Sequence, residues 1–241
     1  MKPNKYSDRK KYRQILGRVK SARLFMASIA IILSLCLFEN CKAQDPTRFA
    51  DQIAAFGEVD KESMPEKGKI VFLGSSSIRM WKEAEEKFKE YGVINRGFGG
   101  SQTSDAIHYF DELVLKYAPS KIVFYEGDND IGAGKSPKQV LKDFKTFVKM
   151  TRKSLPDCEI GFVAIKPSVA RWNLAKEMAV ANALIEKYCS KKENLTYIDV
   201  WTGMLGEDGK PKPDIFLEDN LHMNEKGYAI WNEQVLPFLK K

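Results

Sequence analysis

Five short apolar runs, each followed by a stretch of helical spacing, constrain this chain more than any other feature. The runs cover residues 69–73, 93–95, 121–125, 160–165 and 195–200 and are rich in Val, Ile, Phe and Tyr. The first is bounded by Gly68 and Gly74, which is how a strand buried on both faces reads. The segments before and between them carry apolar residues three and four apart. Examples are Phe49, Ile53 and Phe56; Ile78, Trp81, Ala84 and Phe88 over 78–89; Ile107, Phe110 and Val114; and Val140, Phe144 and Val148 behind a Ser136–Pro137 helix start. Two further helices are predicted, one reaching about Tyr188 and one beginning near Asn224. Strand and helix alternating in this way predict an α/β three-layer α/β/α sandwich around a parallel sheet. The loops leaving strands one to three then lie on one sheet edge, where ligands bind in such sheets.

The charge is unevenly distributed. The 241-residue chain carries 39 Lys and Arg against 32 Asp and Glu, a formal +7. Residues 1–43 hold 10 of the basic and 2 of the acidic residues, leaving 29 against 30 in residues 44–241. The basic excess therefore belongs to the leader and gives no reason to expect a nucleic-acid partner. The leader has a basic stretch ending at Arg23, an uncharged apolar run over 24–38, then Cys41-Lys42-Ala43. That run suits a signal h-region better than a membrane span, with a cut expected before Gln44. A lipoprotein cysteine at Cys36 or Cys41 ranks second and a retained membrane anchor third; each places the domain at 44–241 outside the cytoplasm, periplasmic or secreted. Cys158 and Cys189 are left in that domain, and an oxidising compartment raises a disulfide between them as an expectation. No C-x-x-C spacing points to a metal, and no metal or cofactor is expected.

Candidate chemistry collects at the strand ends. The first run turns through Gly74-Ser75-Ser76-Ser77 into a helix. Serines there are most often caps, but one is a nucleophile if a base and oxyanion donors are at hand. The second run leads into Asn95-Arg96-Gly97-Phe98-Gly99-Gly100, where glycine permits close backbone approach; a Walker loop would end differently. The third ends in Gly127-Asp128-Asn129-Asp130, whose amide suits an oxyanion better than its carboxylates suit calcium. Of the two histidines, His108 lies mid-helix, whereas His222 follows Asp219 by three residues, a spacing that lets a carboxylate fix the imidazole.

In this order the blocks resemble the SGNH hydrolases, the GDSL-type esterases and lipases. Gly74-Ser75-Ser76-Ser77 matches the Gly-Asp-Ser-Leu block, Gly100 the second block, Gly127-Asp128-Asn129-Asp130 the third and Asp219-Asn220-Leu221-His222 the fifth. Ser75 departs from the family's aspartate, in the turn rather than at a reacting atom. The resemblance implies a flavodoxin-like five-stranded sheet of order 2-1-3-4-5, with Ser76 as nucleophile, His222 as base and Asp219 as its orienter. It also implies Ser76 N–H, Gly100 N–H and the Asn129 amide as oxyanion donors. The loops at this edge add Arg96, Lys166, Arg171 and Trp172, of which Lys166, Arg171 and Trp172 are the candidate substrate-binding residues. With no segment long enough for a lid or a fatty-acid tunnel, the expected substrate is a small or oligosaccharide ester bearing a short acyl group, acetyl first. The rivals are a lysophospholipase or thioesterase, acyl transfer to a sugar, and a catalytically silent carbohydrate-binding domain.

Overall fold

The computed structural model describes residues 45–241, and the leader reading falls on residues outside these. Five strands, β1 (Gly68–Gly74), β2 (Val93–Gly97), β3 (Pro119–Tyr125), β4 (Glu159–Val163) and β5 (Leu195–Ile198), form one parallel sheet in the order β2-β1-β3-β4-β5. This is the predicted α/β/α architecture and strand order. Successive residues of a strand point to opposite faces, and the core divides accordingly. Val71, Leu73, Ile122, Phe124, Ile160 and Phe162 belong to one buried cluster; Ile70, Phe72, Val123, Tyr125 and Val163 belong to the other. That double burial is why β1, β3 and β4 read as continuous apolar runs.

The helices are α1 (Ala50–Glu62), α2 (Ser76–Arg79), α3 (Ala84–Lys87), α4 (Thr103–His108), α5 (Asp128–Gly132), α6 (Pro137–Ser154), α7 (Ala175–Cys189), α8 (Trp201–Met204) and α9 (Glu225–Lys240). Ile53 of α1, Val140, Phe144 and Phe147 of α6, and Met178, Ala181 and Ile185 of α7 pack on the first face. Ile78, Trp81, Ala84 and Phe88, with Trp231, Val235 and Phe238 of α9, cover the second. The caps are local and follow the sequence: Ser136 Oγ accepts from Gln139 N at 3.2 Å, and Asn224 Oδ1 accepts from Lys226 N at 2.9 Å. Among the described residues no helix is long and apolar enough to cross a membrane.

The structure corrects three expectations. The helix predicted over 78–89 is two short helices and a 3-10 turn, because Asn95 Nδ2 donates to Ile78 O at 2.8 Å and to Trp81 O at 3.4 Å. Those bonds engage the carbonyls that a continuous helix would use. Cys158 and Cys189 do not pair: both are buried free thiols of the first core cluster, and burial pushes each up to about 12. Arg96 does not face the loops at the C-terminal edge of the sheet. It is buried, with Nη2 on Asp60 Oδ1 at 2.7 Å and Nε on the Tyr117 hydroxyl at 2.7 Å.

Candidate active site

The strand register aligns the C-terminal ends of the three central elements. Gly74 lies opposite Gly97 of β2 and Tyr125 of β3, so the loops carrying Ser76, Gly100 and Asn129 leave the sheet side by side. The turn after β1 is available only to glycine. Gly74 has φ +148°, and a Cβ there would fall 1.9 Å from Tyr125 O. Ser75 is buried, its N–H donating to Tyr125 O, and its side chain caps nothing. Ser77 is buried too, and its carbonyl accepts from the Tyr228 hydroxyl of α9 at 2.9 Å. Asn95 from β2 and Tyr228 from α9 thus hold α2 from two sides, leaving Ser76 of the three serines facing the cleft.

Ser76 Oγ lies 2.9 Å from His222 Nε2, and His222 Nδ1 lies 2.5 Å from Asp219 Oδ2. Asp219 Oδ1 accepts from Leu221 N and His222 N, each at 2.9 Å. Desolvation raises this carboxyl, but the bonds from the imidazole and the two N–H groups outweigh it and hold Asp219 at about 2. An ionised Asp219 keeps the proton on Nδ1, leaving Nε2 as the acceptor toward Ser76 Oγ. His108 is exposed on α4, as its position in the sequence suggested.

The oxyanion candidates converge on the same space. Among the described residues neither the Ser76 N–H nor the Gly100 N–H has a protein acceptor. Gly100 stands at φ +81° with nothing within 4 Å of a would-be Cβ. Asn129 Nδ2 donates to Ser101 O at 2.8 Å, and Arg171 Nη1 donates to Asn129 Oδ1 at 3.0 Å. The two contacts fix which end of the amide is which and leave its second N–H unassigned. A cleft of about 560 Å³ is lined by Ser76, His222, Gly100 and Asn129, and by Gln52, Arg79, Gly99, Arg171 and Leu221.

Of the candidate substrate-binding residues, only Arg171 lines this cleft. Lys166 is fully buried, its Nζ on Asp128 Oδ2 at 2.7 Å, and no substrate reaches it. Trp172 turns toward Trp201, ring centroids 6.2 Å apart, and is not part of the lining. Sequence reasoning missed Gln52, whose Oε1 accepts from Gly99 N at 2.9 Å, and Arg79, one helical turn beyond Ser76. Only the second left a signal in the sequence, an arginine at i+3 on the helix that follows a candidate nucleophile. The loops are also braced from below. Asp130, buried at the start of α5, accepts from Thr103 N at 3.2 Å, Gly127 N at 3.1 Å and Lys135 Nζ at 2.9 Å. Asp128 is held below its ordinary range: burial raises it, and the charges of Lys166 and Arg171 outweigh that.

The GDSL-like Lipase/Acylhydrolase family matches residues 73–230, which include every block described above. The chain belongs to that family. No curated protein matches it. Among solved structures, it is similar to a Streptococcus pneumonia protein named for platelet activating factor, at 18% identity and TM-score 0.71, covering 88% of this chain and 99% of that one. A GDSL-like lipase from Bacteroides thetaiotaomicron aligns at 20% identity and TM-score 0.65, over 81% and 97%. An acetylxylan esterase from Geobacillus stearothermophilus aligns at 13% identity and TM-score 0.58, over 73% and 96%. At these identities the likeness is one of fold.

Proposed function

We propose that this GDSL-family acylhydrolase is a serine ester hydrolase that removes a short acyl group, acetyl first, from a carbohydrate or similar alcohol. The observation that carries the reading is the Ser76–His222–Asp219 chain of contacts at 2.9 and 2.5 Å. Ser76 Oγ attacks the ester carbonyl carbon and its proton passes to His222 Nε2. The oxyanion forms against the Ser76 and Gly100 N–H groups and the free N–H of Asn129. The carbon–oxygen bond to the alcohol then breaks, and Nε2 returns the proton to the departing oxygen. Water attacks the acyl-serine by the same route, releasing the acid and restoring the hydroxyl. A sugar hydroxyl in place of water makes the same intermediate a transferase intermediate.

The shape of the cleft supports a short acyl group. Its lining is glycine, amide and guanidinium rather than an apolar tunnel. The esterase named for acetylxylan lends the sugar reading the support of analogy only. One observation favours a second reading, a longer acyl chain: an apolar groove of about 550 Å³, with Met80, Trp81, Leu217, Met223 and Tyr228 in its walls, flanks α2. A chain-length series of p-nitrophenyl esters beside acetylated oligosaccharides separates the two, since rates rising toward long chains overturn the acetyl reading. Ser76→Ala is expected to lower kcat by roughly three or more powers of ten with the fold intact; undiminished turnover removes the nucleophile assignment. The export reading of residues 1–43 belongs to the same proposal and is tested by the N-terminal mass of the cell-exported protein, expected to begin at Gln44.

A further inference from the structure

Two guanidinium groups line the cleft, and each has a glycine making room for it. Arg79 lies over Gly99, where a Cβ would come within 3.0 Å of its Nε and 3.3 Å of its Cζ and Nη2. Arg171 lies against Gly132, where a Cβ would come within 3.3 Å of its Cζ. Among the described residues Arg79 makes no ion pair, although it is exposed and one turn from the candidate nucleophile. Arg171 does pair, through Nη1, with Asp128 Oδ1 at 2.7 Å. Asp128 is shared, however, with Lys166. Two cations against one anion leave one positive charge, and of the three side chains Arg171, at 24% exposure against 1% and 6%, is the one that meets the cleft.

No carboxylate among the cleft-lining residues offsets these charges. Asp219, ionised and partly exposed, lies on the Nδ1 side of the imidazole, away from Ser76, and is not part of the lining. A small open cleft with two arginines and no acid attracts an anion, and a planar guanidinium pairs with a carboxylate through parallel hydrogen bonds.

We infer that the alcohol half of the substrate bears a carboxylate held by Arg79 and Arg171 beside Ser76, so that the ester is an acylated acidic sugar rather than a neutral one. The inference rests on the hydrolase reading and names its substrate class. Arg79 is then a specificity-determining residue, and Arg171 serves both the anion and the Asn129 amide.

The experiment compares acetate release from 3-O-acetyl-galacturonate and 3-O-acetyl-galactose, which differ at the carboxylate alone. For the unaltered protein, kcat/KM is expected to favour the acidic sugar by roughly tenfold to a hundredfold, the range of charge-assisted hydrogen bonds. That ratio should fall as sodium chloride is raised. In Arg79→Gln it should drop toward one, and Arg79→Lys should restore much of it; Arg79 is exposed, so neither change threatens the fold. A separate calorimetric arm titrates galacturonate and galactose into the Ser76→Ala protein, where tighter binding of galacturonate is expected and should be lost on adding Arg79→Gln. Equal kcat/KM for the two sugars, equal binding, or a ratio unmoved by Arg79→Gln overturns the inference. The binding arm does not depend on turnover: if neither sugar ester is hydrolysed, the hydrolase reading falls while charge selectivity is still judged by the binding of galacturonate against galactose.

Discussion

Asp60 and Asp128 are both buried carboxylates held by two cations, yet one network closes on itself and the other leads to the cleft. Asp60, near the end of α1, receives Arg96 Nη2 at 2.7 Å, Lys116 Nζ at 2.6 Å and the Tyr117 hydroxyl at 2.6 Å. Arg96 turns its other edges to the Tyr117 hydroxyl and to Asn95 O, so the cluster satisfies itself and ties α1 to the rim of the sheet. Asp128 receives Lys166 Nζ and Arg171 Nη1, both at 2.7 Å, and Arg171 continues to the Asn129 amide. The same chemistry makes a structural clasp in one place and orients a candidate oxyanion donor in the other. What separates them is where the second cation goes next.

Breaking the clasp should have the largest effect on stability. Asp60→Ala leaves Arg96 buried without its counter-ion and is expected to cost about 3–5 kcal/mol in denaturant melts, the usual cost of removing one partner of a buried pair. The turnover of the protein that remains folded should be unchanged; a parallel loss of kcat would mean that the two networks are coupled. Asn129→Ala should show the reverse pattern. The expected loss is about 2.7–4 kcal/mol of transition-state stabilisation, read in kcat, with little change in midpoint. A change in KM alone would make Asn129 a ground-state contact. Arg171→Lys keeps the charge and loses the planar fork that spans Asp128 and Asn129. A fall of roughly tenfold in kcat is expected, within the reach of one imperfect hydrogen bond; full activity would free the amide of any need for Arg171.

Least affected should be the acid side of the stability profile at Asp219. The folded carboxyl, at about 2, lies below its ordinary 3.8, so the native state favours the ionised form. Its contribution is fully present above about pH 4 and is lost as pH falls toward 2. Because the side chain is 47% exposed, the difference between the unaltered protein and Asp219→Asn should stay below about 1 kcal/mol and close over that interval. A difference that persisted at pH 2 would assign Asp219 a role other than its charge.

Features carried by neighbours in sequence were legible before the structure, and features carried by distant partners were not. The five strands, the Ser136 cap, and Asp219 and His222 three residues apart follow from local pattern and turn geometry. The break after α2 depends on the Asn95 side chain, fourteen to seventeen residues away, which no helical periodicity can register. The sequence makes Lys166 a candidate substrate-binding cation at a loop; its burial is settled by Asp128, thirty-eight positions earlier. Trp172 follows the fourth strand in the sequence, but which way its ring turns depends on Trp201. The choice of Ser76 among three adjacent serines rests on the family blocks; the structure adds that Ser76 Oγ lies 2.9 Å from His222 Nε2.

The Ser76–His222 contact joins residues 146 positions apart, and the fifth strand is already finished at Ile198. On the proposed mechanism, a ribosome therefore delivers every strand of the sheet, the serine turn and the Asn129 loop before it delivers the base, His222. During synthesis the emerging polypeptide would then carry Ser76 without the imidazole assigned to deprotonate it. Hydrolytic power, on this reading, switches on only when the 219–222 loop settles over Ser76 and α9 brings Tyr228 against Ser77. The same stretch after Ile198 carries Trp231, Val235 and Phe238 of the second core face, so on this reading the base and half of the core arrive together.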